Sequence, residues 1–147
     1  MSKRLKELAH YNKKSDNEYE LIIDTKQIKT EPGQFYFSGS EMSNTGCLNP
    51  NTFSSCTIRN VPAMEIKASS LLGIMISLKE KAECKIILNQ PLLVMQEYDA
   101  KLICANAKLA GFEEIETKQI FVNDEENQRK VETLQITMIK PEKEEKN

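Results

Sequence analysis

Between residues 61 and 140 the spacing of apolar residues changes period several times, and that change limits the chain to a mixed α/β fold. Met64, Ala68, Leu71, Leu72, Met75, Leu78 and Ala82 recur at three- and four-residue steps. This is the spacing of one helix face and predicts a helix over 64–82. Cys84-Lys85-Ile86-Ile87-Leu88 follows as a compact apolar run closed by Asn89-Gln90-Pro91. It predicts a strand over 84–89, covered on both faces as in a parallel sheet. Leu102, Ile103, Ala107 and Ala110 return to helical spacing. They predict a helix over 98–110, with Gly111 where a left-handed cap is wanted. Phe112, Ile115, Ile120, Phe121 and Val122 predict a strand over 112–122, ending in the polar turn Asn123–Asn127. Leu134, Ile136 and Met138 then alternate with Thr133, Gln135 and Thr137, a strand over 132–140 stopped by Pro141.

Upstream the pattern is shorter in range. Leu5, Leu8 and Ala9 share a face and predict a helix over 3–14. Tyr19–Ile23 reads as a strand, Pro32-Gly33 as a turn and Gln34–Phe37 as a short aromatic strand. Residues 38–60 are rich in Ser, Asn, Thr and Gly, residues that satisfy their own backbone locally. They predict one long polar loop, and residues 142–147 a charged tail. The whole, 1–147, is one domain's worth of chain. The expected core is Leu71, Leu72, Met75, Ile86, Leu88, Leu102, Ile103, Phe112, Ile115, Leu134 and Ile136.

Composition removes several chemistries. The 20 Lys and Arg stand against 22 Asp and Glu, leaving no basic excess for a phosphate backbone and arguing against nucleic acid as a partner. No apolar run approaches the roughly 20 residues of a membrane span. The start Met1-Ser2-Lys3-Arg4-Leu5-Lys6 lacks the apolar region of a secretory signal, so a cytoplasmic location is expected. His10 is the one histidine, and any Ser/His/Asp or Cys/His site would rest on it. The 5 glycines form no GxGxxG and no Walker loop.

Cys47, Cys56, Cys84 and Cys104 have no CxxC spacing, which weakens a metal or redox reading. Cys84 and Cys104 sit in apolar contexts and read as small buried hydrophobes. Cys47 and Cys56 flank the polar stretch and could pair, although the cytoplasmic reading favours free thiols. Glu113, Glu114 and Glu116 mix both faces of a strand and read as a solvated strand end. No residue stands out as catalytic, cofactor-binding or metal-ligating, and no cofactor is expected. The loop 38–60, with Cys47, Phe53 and Cys56, carries the best claim to an interaction.

The order helix, buried strand, helix, glycine, strand, hairpin, strand resembles the C-terminal half of the S-adenosylmethionine-dependent methyltransferase fold. Leu71 to Pro91 and Ala107-Lys108-Leu109-Ala110-Gly111-Phe112 carry the likeness. Over about residues 62–141 the chain is most similar to the degenerate methyltransferase-like N-terminal domain of the anamorsin family, which serves cytosolic iron–sulfur assembly. The resemblance implies an α/β, incomplete methyltransferase-like (Rossmann-like) sheet with a C-terminal antiparallel hairpin. An active member would carry a glycine-rich loop after its first strand and an acidic residue after its second. Asp24 follows Leu21-Ile22-Ile23, but no glycine run accompanies it. The family's cysteine clusters are absent too.

The expectation is therefore a non-catalytic protein-interaction or assembly module with a protein partner, linked through the resemblance to iron–sulfur assembly. The alternative is a small S-adenosylmethionine-dependent methyltransferase or its accessory subunit. A weaker third reading is a redox accessory protein using Cys47 and Cys56.

Overall fold

The computed structural model describes residues 18–26, 30–88, 93–124 and 128–142. The expected helix 3–14, the turn Asn89-Gln90-Pro91 and nearly all of the tail 142–147 lie outside the described residues. Among the described residues six strands form one sheet: β1 (Glu20–Asp24), β2 (Gln34–Ser38), β3 (Phe53–Arg59), β4 (Leu78–Ile87), β5 (Glu113–Asp124) and β6 (Arg129–Ile139), in the order β2-β1-β3-β4-β6-β5. The first four run parallel, while β6 pairs antiparallel with both β4 and β5. The α/β class and the C-terminal antiparallel hairpin are as the sequence implies. Among the described residues two α-helices, α1 (Ala68–Ser77) and α2 (Leu93–Ala110), accompany the sheet.

Both helices pack on one face of the sheet. Leu21, Ile23, Cys56, Ile58, Cys84, Ile86, Ile136 and Met138 share that face by register. All are buried, against Leu71 and Ile74 of α1 and Ile103 and Ala107 of α2. The opposite face carries the rows Thr57–Lys85–Thr137 and Arg59–Ile87–Gln135, all half-buried. The expectation that β4 is covered on both faces is corrected here: its inward residues are sealed, while Glu83 is exposed.

The expected helix 64–82 is shorter. A 3-10 turn at Ala63–Glu65 precedes α1, and β4 begins directly at Leu78. Leu78, Ala82, Cys84 and Ile86 are all even-numbered, so a strand's period of two also satisfies the four-residue step that suggested a helix. Leu78 is already extended, with φ −82° and ψ 150°, and its N–H closes the helix on the Ile74 and Met75 carbonyls. At the far end of α2, Gly111 takes φ +109°. Its N–H reaches the Lys108 carbonyl at 3.1 Å and the Phe112 N–H the Ala107 carbonyl at 3.1 Å, the cap expected at that glycine.

The stretch 38–60 is not one loop. Gly39–Cys47 winds as 3-10 helix and β3 enters the centre of the sheet. Thr45 donates to the Ser70 carbonyl at 2.7 Å, buried, which pins the 3-10 segment to α1. Leu72 and Leu102, expected in the core, are 42% and 43% exposed. The run Leu71-Leu72-Gly73-Ile74-Met75-Ile76 is apolar all round, so spacing alone could not choose its inward side.

Candidate functional site

The chain reverses direction across the sheet between β1 and β3: β2 lies on one side of β1 and every later strand on the other. In open α/β sheets the crevice beyond the carboxyl ends of the strands at such a reversal is where ligands bind. Here it is built from Asp24 at the end of β1, Ser38 and Gly39 at the end of β2, and Arg59, Asn60 and Val61 at the end of β3.

Asp24 is only 2% exposed. A buried carboxylate is costly unless its oxygens are engaged. Oδ1 accepts the Lys26 N–H at 2.9 Å and the Asn60 carboxamide at 3.0 Å. Oδ2 stands 3.6 Å from Arg59 Nε, a buried nitrogen that makes no hydrogen bond. The Asp24 carbonyl accepts the Tyr36 hydroxyl at 2.8 Å. Asn60 holds φ +57°, a left-handed conformation that asparagine tolerates, and its carbonyl accepts the Thr25 hydroxyl at 2.7 Å. A Cβ at Gly39 would stand 2.8 Å from Val61 Cγ2 and 2.9 Å from Thr25 Cγ2. Bare backbone therefore lets the three strand ends converge. At the rim, the Ser38 and Ser40 hydroxyls share a hydrogen bond at 2.7 Å.

The residues singled out from the sequence do not gather on one surface. Cys47 is exposed at the end of the 3-10 segment, whereas Phe53 is fully buried at the start of β3 and Cys56 is buried in it. Cys56 pairs in register with Cys84 of β4, and all four thiols are free. Burial first, and the neighbouring Cys84 thiol second, push the Cys56 thiol well above its ordinary value. Among the described residues no group of three or more His, Cys, Asp or Glu stands close enough to hold a metal, and no helix is long and apolar enough to cross a membrane. Asp24 was visible in the sequence only as a residue after a strand. Arg59, Asn60 and Gly39 were hidden inside what read as loop.

No protein-family model and no curated protein matches the sequence. Solved structures do. A variant of the 16S rRNA (adenine(1408)-N(1))-methyltransferase from Catenulisporales acidiphilia, solved with its cosubstrate S-adenosylmethionine, superposes with a TM-score of 0.61 at 10% identity, over 100% of this chain and 96% of that one. The fold is that of the S-adenosylmethionine-dependent methyltransferases. An S-adenosylmethionine-dependent O-methyltransferase from Thermotoga maritima matches with a TM-score of 0.52 at 12% identity, over 96% of this chain and 67% of that one. Phosphoethanolamine N-methyltransferase 2 from Haemonchus contortus matches with a TM-score of 0.51 at 12% identity, over 85% of this chain. The match spans 49% of that enzyme, about half its length.

These likenesses correct the expectation of a non-catalytic module, because the neighbours in fold are catalysts. That expectation rested on absences: a glycine loop after the first strand, a second histidine, paired metal ligands. A methyl transfer that works by positioning two bound molecules needs none of the last two. The first absence stands: no glycine run follows β1, and Gly39 lies at the end of β2. The likeness is to methyltransferases in general and carries no particular tie to the anamorsin family or to iron–sulfur assembly.

Proposed function

We propose that the protein is a small S-adenosylmethionine-dependent methyltransferase whose cofactor lies across the carboxyl ends of β1, β2 and β3. The observation that carries this reading is the buried Asp24 carboxylate at the reversal point of a methyltransferase-type sheet. The side chains there suit the cofactor's polar groups. Asp24 offers Oδ2, in contact with Arg59 alone at 3.6 Å among the described residues, as an acceptor for an ammonium or a hydroxyl. The Arg59 guanidinium, with its side chain 41% exposed, suits a carboxylate. Ser38 and Ser40 provide hydroxyls at the end of β2, where the family pattern has an acidic residue. When bound, the cofactor supplies an electrophilic methyl group on a sulfonium. The chain's part is to orient it and to bring a nucleophile in line.

Calorimetric titration of the full chain with S-adenosylmethionine and with S-adenosylhomocysteine tests the reading. Micromolar binding of both is expected. An absence of heat and of thermal stabilisation at millimolar ligand would sink the proposal.

A further inference from the structure

The β5–β6 hairpin outruns the sheet that carries it. β4 pairs with β6 only over Gln135–Ile139, whereas β5 pairs with β6 as far as Asp124 and Arg129. Beyond Leu88, whose N–H reaches the Leu134 carbonyl at 3.0 Å, the two strands run on as an arm. β5 is also the end of the sheet among the described residues. A two-stranded ribbon is marginal alone in water, and an open edge is a template for another strand. The lower half of β5 is blunted by the irregularity between Glu113 and Glu116, where Glu114 takes φ +50°. The upper half has no such break. It carries Phe121, in register with Glu132 and 69% exposed.

The sequence of that upper half is its own complement. A two-fold axis normal to the sheet keeps same-face residues opposite one another, so antiparallel pairing of β5 with its copy is defined by the residue at the axis. With Phe121 at the axis, Phe121 meets its own copy, Ile120 meets Val122, Gln119 meets Asn123, and Lys118 meets position 124, an aspartate. Aromatic and opposite-charge pairs stabilise antiparallel strands, and like charges directly opposite destabilise them. Other registers match worse. Thr117 at the axis sets Phe121 against Glu113, Lys118 at the axis faces itself, Gln119 sets Ile120 against Lys118, Ile120 sets Glu116 against position 124, and Val122 sets Ile120 against it.

The remaining charges tolerate the same register. Arg129 is in register with position 124, which then lies between Arg129 and the Lys118 of the other copy. Lys130 shares its row with Asn123 and with Gln119 and Leu134 of the copy. Glu132 and its copy are three strand spacings apart, about 14 Å, beyond the screening length of roughly 8 Å at physiological salt. Glu113, Glu114 and Glu116 lie past the end of the copy's strand. The α2 charges Glu97, Asp99, Lys101 and Lys108 do not face their copies. Cys104 of α2 stands 3.6 Å from Thr117, and Thr117 and its copy lie on opposite sides of the axis, about 27 Å apart along the strands. We propose that two copies of the chain join through their β5 edges about Phe121, making the two arms one four-stranded sheet.

Sedimentation equilibrium of the full chain, from micromolar to millimolar concentration, tests this. A monomer–dimer equilibrium is expected. Phe121→Asp sets two acids together at the axis and should raise the dissociation constant at least about tenfold. The melting temperature of the dilute chain should not change, since the side chain is outside the core. Lys118→Asp should act likewise, by facing position 124 with a second acid. A cysteine at the axis reads the register. In a Cys47→Ser background, which removes the exposed native thiol, oxidised glutathione should link Phe121→Cys chains into a dimer. Two thiols form one disulfide there, and the glutathione disulfide is reduced to two thiols. Gln119→Cys, exposed on the same face, should stay unlinked, because its copy lies beyond the reach of a disulfide. A chain monomeric at millimolar concentration, a dimer indifferent to Phe121→Asp, or equal cross-linking at positions 119 and 121 would overturn the proposal.

Discussion

Gly73→Ala in α1 sets two effects against each other. Alanine is the better helix former by about 1 kcal/mol, so helix propensity alone predicts a more stable protein. The structure predicts the reverse. A Cβ at Gly73 would stand 2.5 Å from Thr45 Oγ1, 2.7 Å from the Thr45 carbonyl carbon and 2.8 Å from the Gly46 nitrogen. Two of these three atoms are backbone, so relief requires the 3-10 segment to move as a body. Overpacking of this kind costs about 1–3 kcal/mol. The displaced Thr45 also loses its buried hydrogen bond to Ser70, about 1–3 kcal/mol more if the groups stay unpaired. Net of the propensity gain, the loss is about 3 kcal/mol, and the melting temperature should fall by roughly 6–12 °C for a chain of this size. Thermal unfolding followed by circular dichroism reads this directly. Gly46→Ala is the control, since nothing lies within 4 Å of its added Cβ. A melting temperature for Gly73→Ala equal to or above that of the parent would refute the close approach of the 3-10 segment to α1. The placement of Gly39 at the other end of that segment would fall with it.

Ile86→Ala removes a side chain 1% exposed in the central strand β4 and should cost about 2–5 kcal/mol in urea unfolding; Leu72→Ala, at an exposed position, should cost less than about 1 kcal/mol. Thiol titration of the native protein should label Cys47 first, with Cys56 and Cys84 released only by denaturant, because both sit in the core. The Cys56 thiol is pushed up from 9.0, so the folded state keeps a proton that the unfolded chain gives up. Its contribution is full below the unfolded value and is lost as pH rises above it. Stability under reducing conditions should therefore fall from about pH 8.5 upward, and Cys56→Ala should flatten that fall. Burial lowers the Lys140 ammonium and acts in the opposite direction, so the difference between parent and variant carries the test.

The helix, strand and hairpin order after residue 61 was legible because most elements there keep one hydrophobic period over many residues. The 18 residues of α2 and the alternation of β6 each present one period for long enough to be read. The failures share a cause. In β3 the buried residues Phe53, Cys56 and Ile58 are separated by Ser and Thr, which spacing rules assign to loops although β-branched and hydroxyl side chains suit the half-buried face of a sheet. Leu72 and Leu102 each stand beside a truly buried neighbour, Leu71 and Ile103, and a helix apolar on two sides hides which side faces inward. The site was less legible still. Asp24, Gly39 and Asn60 are distant in sequence and become neighbours only through the reversal of strand order.

What Asp24 is for can be separated from what it holds together. Its Oδ1 gathers the Lys26 N–H and the Asn60 carboxamide, and that work needs an acceptor but no charge. Asparagine keeps an oxygen at that position, so Asp24→Asn should lower stability by only about 1–2 kcal/mol, two neutral hydrogen bonds replacing two charge-assisted ones. If the carboxylate exists to meet a cationic or hydroxyl-bearing ligand through Oδ2, the same substitution should weaken S-adenosylmethionine about tenfold or more, since a hydrogen bond to a charged group is worth about 1.5–3 kcal/mol. Urea unfolding and calorimetric titration on the one variant give the two numbers. A large stability loss with unchanged ligand affinity would mean that Asp24 serves only to tie β1 to β3, and the methyl donor would have to be sought away from the reversal point.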